Sequence, residues 1–153
     1  MGSILLATSW SHGWPMDLEV LLRLGLSVLC GLAVGYNRAK HFNHPKLSRM
    51  RMHVLVALSA CLLVLAAGPD PNARSRAIQG IATGVGFLGA GEILVDRGSD
   101  EASPRVHGLT SAASIWFTAA LGVTVAASTP VLAAFALFLA LLVLSQHRRQ
   151  PHV

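Results

Sequence analysis

The sequence predicts an all-α membrane protein, a bundle of about five transmembrane helices, and three observations carry that prediction. Of 153 residues, 53% are hydrophobic and only 12% charged, about half the charge that a soluble domain uses to cover a water-facing surface. The apolar residues fall in five stretches, near 17–36, 52–67, 77–95, 108–127 and 130–145. These stretches are continuous and lack the alternation of a membrane strand, so helices rather than a barrel are expected.

Ahead of the first stretch, residues 1–16 hold Trp10, Trp14 and Pro15. Met1 to Ala7 lack the basic start of a signal peptide, so the segment is expected to be an interfacial arm anchored by the two tryptophans. Residues 17–145 form the transmembrane domain, and 146–153 a short basic tail. A span takes about 17–25 helical residues. The first, third and fourth stretches meet that length; the second and fifth reach it with their neighbours or where the membrane thins. Arg23 lies about six residues into the first span, close enough to its end to snorkel towards Asp17 or Glu19.

The third stretch, GIATGVGFLGAGEIL from Gly80 to Leu94, is dense in glycine. Gly84, Gly86 and Gly89 satisfy a G-x-G-x-x-G spacing, but that fingerprint binds a dinucleotide only between a strand and a helix of a soluble βαβ unit. In a membrane helix, small residues let neighbours approach closely. Gly80, Gly84 and Gly91 share one face, and Gly86 and Gly89 point elsewhere, which predicts a third span at the centre of the bundle. Gly31 and Gly35 in the first span are its expected partner. Close packing is the expected use of these glycines, over a cavity lined by bare backbone. On the fourth span Thr110, Ser114 and Thr118 recur every four residues with Ser111 beside them. This stripe can bond its own helix backbone or reach a neighbouring helix, and in either case it faces protein.

Orientation follows from the basic residues. With five spans, Arg38, Lys40, Lys46, Arg49, Arg51, Arg97, Arg105, Arg148 and Arg149 share one side, against Arg74 and Arg76 on the other. By the positive-inside rule the larger set faces the cytoplasm, placing the amino terminus outside and the carboxyl terminus inside. The net charge of +5 therefore marks topology and does not call for a nucleic-acid partner. Cys30 and Cys61 sit singly in apolar runs and form no metal or redox motif. No HExxH, nucleophile elbow or paired carboxylates occur, so an enzyme is disfavoured and no cofactor is expected.

An ionisable residue inside a span costs on the order of 2.5–3.5 kcal/mol on insertion scales, which singles out Glu92 near the inner end of the third span. Topology brings Arg38, Arg51 and His107 to the same level, with Thr110 and Ser111 close by. This set is the candidate binding site; it can bind an ion, dock a partner or neutralise itself. Its metal preference is not legible.

The segments GVGFLGAGEIL (Gly84 to Leu94) and HGLTSAASIWFTAALG (His107 to Gly122) resemble the signature of the MgtC/SapB family of bacterial inner-membrane proteins. RMRMHVLVALSACL (Arg49 to Leu62) resembles the opening of that family's second span, and LCGLAVGYNR (Leu29 to Arg38) the end of its first. Arg38, Arg51, His53, Gln79, the glycines from Gly80 to Gly91, Gly108 and Thr110 match the pattern. The resemblance implies a five-span inner-membrane domain associated with magnesium limitation, acid tolerance and survival inside host cells. It also implies one of two roles. The first is a non-enzymatic regulator or accessory factor acting by helix contacts, with another membrane complex such as the ATP synthase as partner. The second is a transporter of Mg2+, H+ or a small solute. A homo-oligomer is compatible with the glycine-rich faces. The sequence departs from the pattern at Tyr36 and Asn37, where an acidic residue is usual, at His107, where arginine is common, and at Glu92, where an apolar residue is common. Many members continue into a soluble cytoplasmic regulatory domain; here the membrane domain alone is expected.

Overall fold

The computed structural model describes residues 16–40, 46–96 and 105–145. Five helices follow in order: α1 Met16–Ala39, α2 Lys46–Ala66, α3 Pro71–Gly91, α4 Leu109–Ala127 and α5 Pro130–Ser145. Between α3 and α4 stands a short antiparallel pair, β1 Leu94–Asp96 with β2 Arg105–His107, in which Leu94 faces His107 and Asp96 faces Arg105. The expected interfacial arm, but for Met16, and the basic tail lie outside the described residues.

Among the described residues three helical segments, Leu18–Ala39, Leu47–Ala66 and Leu109–Ala127, are long and apolar enough to cross a membrane by themselves. α3 matches α2 in length but opens with Asn72, Arg74 and Arg76, whereas α5 is apolar throughout but has only 16 residues. Capping, not hydropathy, sets where α3 begins. The Asp70 carboxylate accepts from the backbone N–H of Asn72 at 3.2 Å and of Ala73 at 3.0 Å, and Pro71 occupies the first turn, where its missing N–H costs nothing.

The helices alternate in direction. Arg23, near the start of α1, reaches the last turn of α4, and Arg38, near its end, reaches Ser111 in the first turn of α4. Gly31 lies against Val54 and Gly35 against Met50, so α1 and α2 are antiparallel. Arg49 near the start of α2 approaches Glu92 just beyond α3, and α5 ends beside the end of α1. Odd helices run one way and even helices the other, as successive crossings require.

The core lies between α1, α2 and α4, where Val34, Val64, Ile115, Leu121 and Val125 are buried with Cys30 and Cys61. α4 touches all four other helices and is the hub. This corrects the expectation of a central α3. On α3 only Ile81, Val85 and Gly89 are buried, Phe87 is 80% exposed, and a Cβ at Gly80, Gly84, Gly86 or Gly91 would meet nothing within 4 Å. Glycine permits close approach but brings no side chain to pack. The centre goes instead to the helix that combines Ile115, Leu121 and Val125 with hydroxyls that need protein partners.

Nor do Gly31 and Gly35 pack on α3; they let α2 approach α1. A Cβ at Gly31 would lie 2.7 Å from the Val54 Cα and 2.8 Å from the His53 carbonyl, and one at Gly35 3.0 Å from the Met50 Cα. Gly122 serves α4 in the same way, since a Cβ there would run into the Ala57 carbonyl. Backbone cannot yield as a flexible side chain does, so Gly31→Ala is expected to cost about 1–3 kcal/mol. Gly84→Ala is expected to stay within about 0.5 kcal/mol of the native protein. Denaturant titration of both variants in mixed micelles checks the contrast; equal stabilities would refute the packing assignment.

Candidate functional site

One end of the bundle gathers charge from four elements. Arg38 comes from the last turn of α1, Arg49 and His53 stand four residues apart on α2, Glu92 directly follows α3, and Ser111 and Ser114 lie in the first two turns of α4. Arg38, His53, Ser111 and Ser114 are all at most 3% exposed. The Ser111 hydroxyl oxygen accepts from both guanidiniums, at 3.0 Å from Arg38 Nη2 and 3.2 Å from Arg49 Nη1. Glu92 Oε2 lies 3.9 Å from Arg49 Nη1, with both side chains partly exposed. The Arg49–Glu92 contact is therefore a screened, rim-like pair, whereas the Arg38–Ser111 bond is interior.

His53 sits behind the arginines. Its Nδ1 is 2.8 Å from the Arg49 carbonyl, so that nitrogen carries a proton and donates it. Ser114 has one hydroxyl proton and two acceptors in reach: the Ser111 carbonyl at 2.7 Å and His53 Nε2 at 3.2 Å. A neutral His53 receives that proton at Nε2. A protonated His53 donates to the Ser114 oxygen instead and leaves the hydroxyl on the Ser111 carbonyl. Thr118 donates to the Ser114 carbonyl at 2.7 Å, so the stripe both bonds its own backbone and reaches a neighbouring helix.

The turn into α4 closes the site. Gly108 has φ +93°, a left-handed conformation that other residues rarely adopt, and a Cβ there would collide with the Glu92 carbonyl. The short strand pair and this glycine thus hold the ends of α3 and α4 together, which is what delivers Glu92 to Arg49.

A second buried cation marks the opposite end of the bundle. Arg23, 5% exposed, pairs with Glu19 at 2.7 Å. It also donates to the Val125 carbonyl at 3.2 Å and to that of Ala126. These carbonyls belong to the last turn of α4, where a cation complements the helix dipole.

The structure brings Arg38, Ser111 and Glu92 of the expected site into one cluster. Arg51 and Thr110 are exposed and stand apart from it. At 100° per residue Arg51 lies on the far side of α2 from the Arg49–His53 face, and Thr110 similarly precedes the buried face of α4. The backbone of His107 pairs with Leu94 in the strand pair, while its side chain lies outside the described residues. Arg49, His53 and Ser114 complete the cluster without having been assigned to it from sequence. The i, i+4 spacing of Arg49 and His53, in phase with buried Ala57, Ala60 and Val64, was the available signal.

A cluster with two guanidiniums and one carboxylate favours acceptor groups over a bare divalent cation, which takes several oxygen ligands. Among the described residues no group of three or more His, Cys, Asp or Glu side chains is placed to hold a metal ion.

The family model for the MgtC family matches residues 24–151, a range that includes every residue of this cluster. This chain belongs to the MgtC family. Protein SrpB of Synechococcus elongatus is 41% identical over 146 residues, covering 89% of this chain and 79% of SrpB. YhiD of Escherichia coli, whose descriptive name proposes magnesium transport, is 32% identical over 84% of this chain and 60% of its own length. Protein SapB of Bacillus subtilis is 34% identical over 74% of this chain and 50% of its own length. The chain thus spans most of SrpB but only half to three fifths of YhiD and SapB. No solved structure matches it significantly. In this MgtC-family chain the segment opening α2 uses its first arginine and its histidine inside the bundle and leaves its second arginine outside.

Removing the Ser111 hydroxyl leaves two guanidiniums without their shared acceptor. Ser111→Ala is expected to cost about 1–3 kcal/mol, and Thr110→Ala no more than about 0.5 kcal/mol. Thermal unfolding of the two variants in detergent checks this; a Thr110→Ala loss as large as that of Ser111→Ala would contradict the site as drawn.

Proposed function

We propose that this MgtC-family protein is a non-enzymatic regulator or accessory factor of magnesium and ion homeostasis in the bacterial inner membrane, working through helix contacts. The observation that carries this is the outward face of α3. Ser75, Gln79, Thr83 and Gly86 are exposed there. Gln79 donates to the Ser75 hydroxyl at 3.3 Å and Thr83 to the Gln79 carbonyl at 3.0 Å. Lipid offers an amide near the middle of a span no hydrogen-bond partner, whereas a neighbouring helix does. Gly86, open on this same face, would allow that helix to come close. The partner is another integral membrane complex, for which the family resemblance supplies the ATP synthase as the first to test.

Transport of Mg2+ or H+ is the second reading, favoured by the descriptive name of YhiD, with Glu92 as the coupling group. Against it stands the positive balance around Glu92, which repels a divalent cation at the one carboxylate of the cluster.

Purified protein in liposomes separates the two. Under the regulator reading, Mg2+ and proton flux are expected to match those of empty vesicles for both native protein and Glu92→Gln. A complex co-purifying with native protein is expected to be lost with Gly86→Phe while the helical circular dichroism is kept. Flux that depends on Glu92 would overturn the regulator in favour of the transporter.

A further inference from the structure

The seam between α1 and α5 holds little of α5. Only Ala133 of that helix is buried, and Phe135, Phe138, Leu139, Leu142 and Val143 are exposed. Where both helices end, the seam opens into a groove of about 440 Å³, with Tyr36 and Asn37 of α1 and the following Lys40 facing Phe138, Leu142 and Ser145 of α5. Its deeper walls are apolar. Its mouth carries Lys40, exposed, with Nζ 4.3 Å above the centre of the Tyr36 ring. A second groove, of about 640 Å³, opens at the other end of the seam, between residues such as Leu22, Leu26 and Pro130, and has no charged lining.

We propose that the Lys40 groove is a binding site for one anionic phospholipid, with an acyl chain between α1 and α5 and the phosphate on the Lys40 ammonium. Depth supports this occupant. Lys40 directly follows the last residue of α1 and Ser145 closes α5, so the mouth lies where headgroups lie and the walls lie about two turns deeper. Charge supports it as well. Among the described residues Lys40 makes no ion pair, and the Tyr36 ring holds its ammonium over the opening. Shape selects lipid over a protein helix, since Phe138 and Leu142 line the α5 wall where a packed helix needs small residues for its backbone to approach. A flexible chain needs only apolar walls. The groove at the far end gives the lipid its direction, because among the described residues that line the two grooves only Lys40 holds a headgroup by charge.

Native mass spectrometry and thermal unfolding of the full chain in neutral detergent test this, with phosphatidylglycerol, phosphatidylcholine or inorganic phosphate added. Native protein is expected to retain one phosphatidylglycerol per chain and to gain Tm, with little effect of phosphatidylcholine and none of inorganic phosphate. Lys40→Gln is expected to weaken retention roughly fivefold, the worth of one basic group at an anionic surface, and Lys40→Arg to preserve it. Leu142→Trp, which fills the groove and keeps the charge, is expected to abolish retention. Equal binding of the two lipids would overturn the proposal. So would the same stabilisation by inorganic phosphate alone, or retention unaffected by both Lys40→Gln and Leu142→Trp.

Discussion

Hydrocarbon offers no hydrogen bonds, so every polar group that this bundle buries has to find its partner inside the protein. α4 buries Ser111, Ser114 and Thr118 along one side, and α1 meets it with two buried arginines. Arg38 meets the first turn of α4 through Ser111, and Arg23 meets the last turn through its free carbonyls. His53 and Arg49 then bring α2 onto the same hydroxyls. The polar bonds decide which three helices form the core, and the apolar side chains fill the space between them.

The other two helices are placed by what this core leaves over. α3 rests on α2 and α4 through Ile81, Val85 and Gly89 and is anchored at its end by the strand pair and Gly108. Its other glycines and its Ser75–Gln79–Thr83 line are consequently exposed. α5 has no polar group to satisfy until its last residue, Ser145, and it buries a single alanine. One peripheral helix thus presents a surface suited to protein and the other a surface suited to lipid.

Much of this was legible in the sequence. Apolar runs located all five helices, because hydropathy reports directly on which residues leave water. The rarity of charge made Glu92 and Arg38 conspicuous, and topology alone put them at the same end. What stayed hidden depended on rotation about a helix axis. Arg49 and Arg51 have equal claims by composition, and only the 200° between them decides that Arg49 points inward. Counting glycines placed α3 at the centre, although small residues record where a neighbour can come close and not whether one does. The strand pair was hidden for another reason: three residues on each side are too short for a periodic signal.

Arg23 and Arg38 are 15 residues apart on α1, and Ala126 and Ser111, which they meet, are 15 residues apart on α4. At 1.5 Å per residue each pair spans roughly 22 Å, so two rulers of equal length are pinned to one another at both ends. A single inserted or deleted residue within either interval would turn one arginine by about 100° and slide it off its partner. Sequence drift in this protein can therefore exchange residues between the pins with some freedom, but it can change the length of one helix only by changing the other in step.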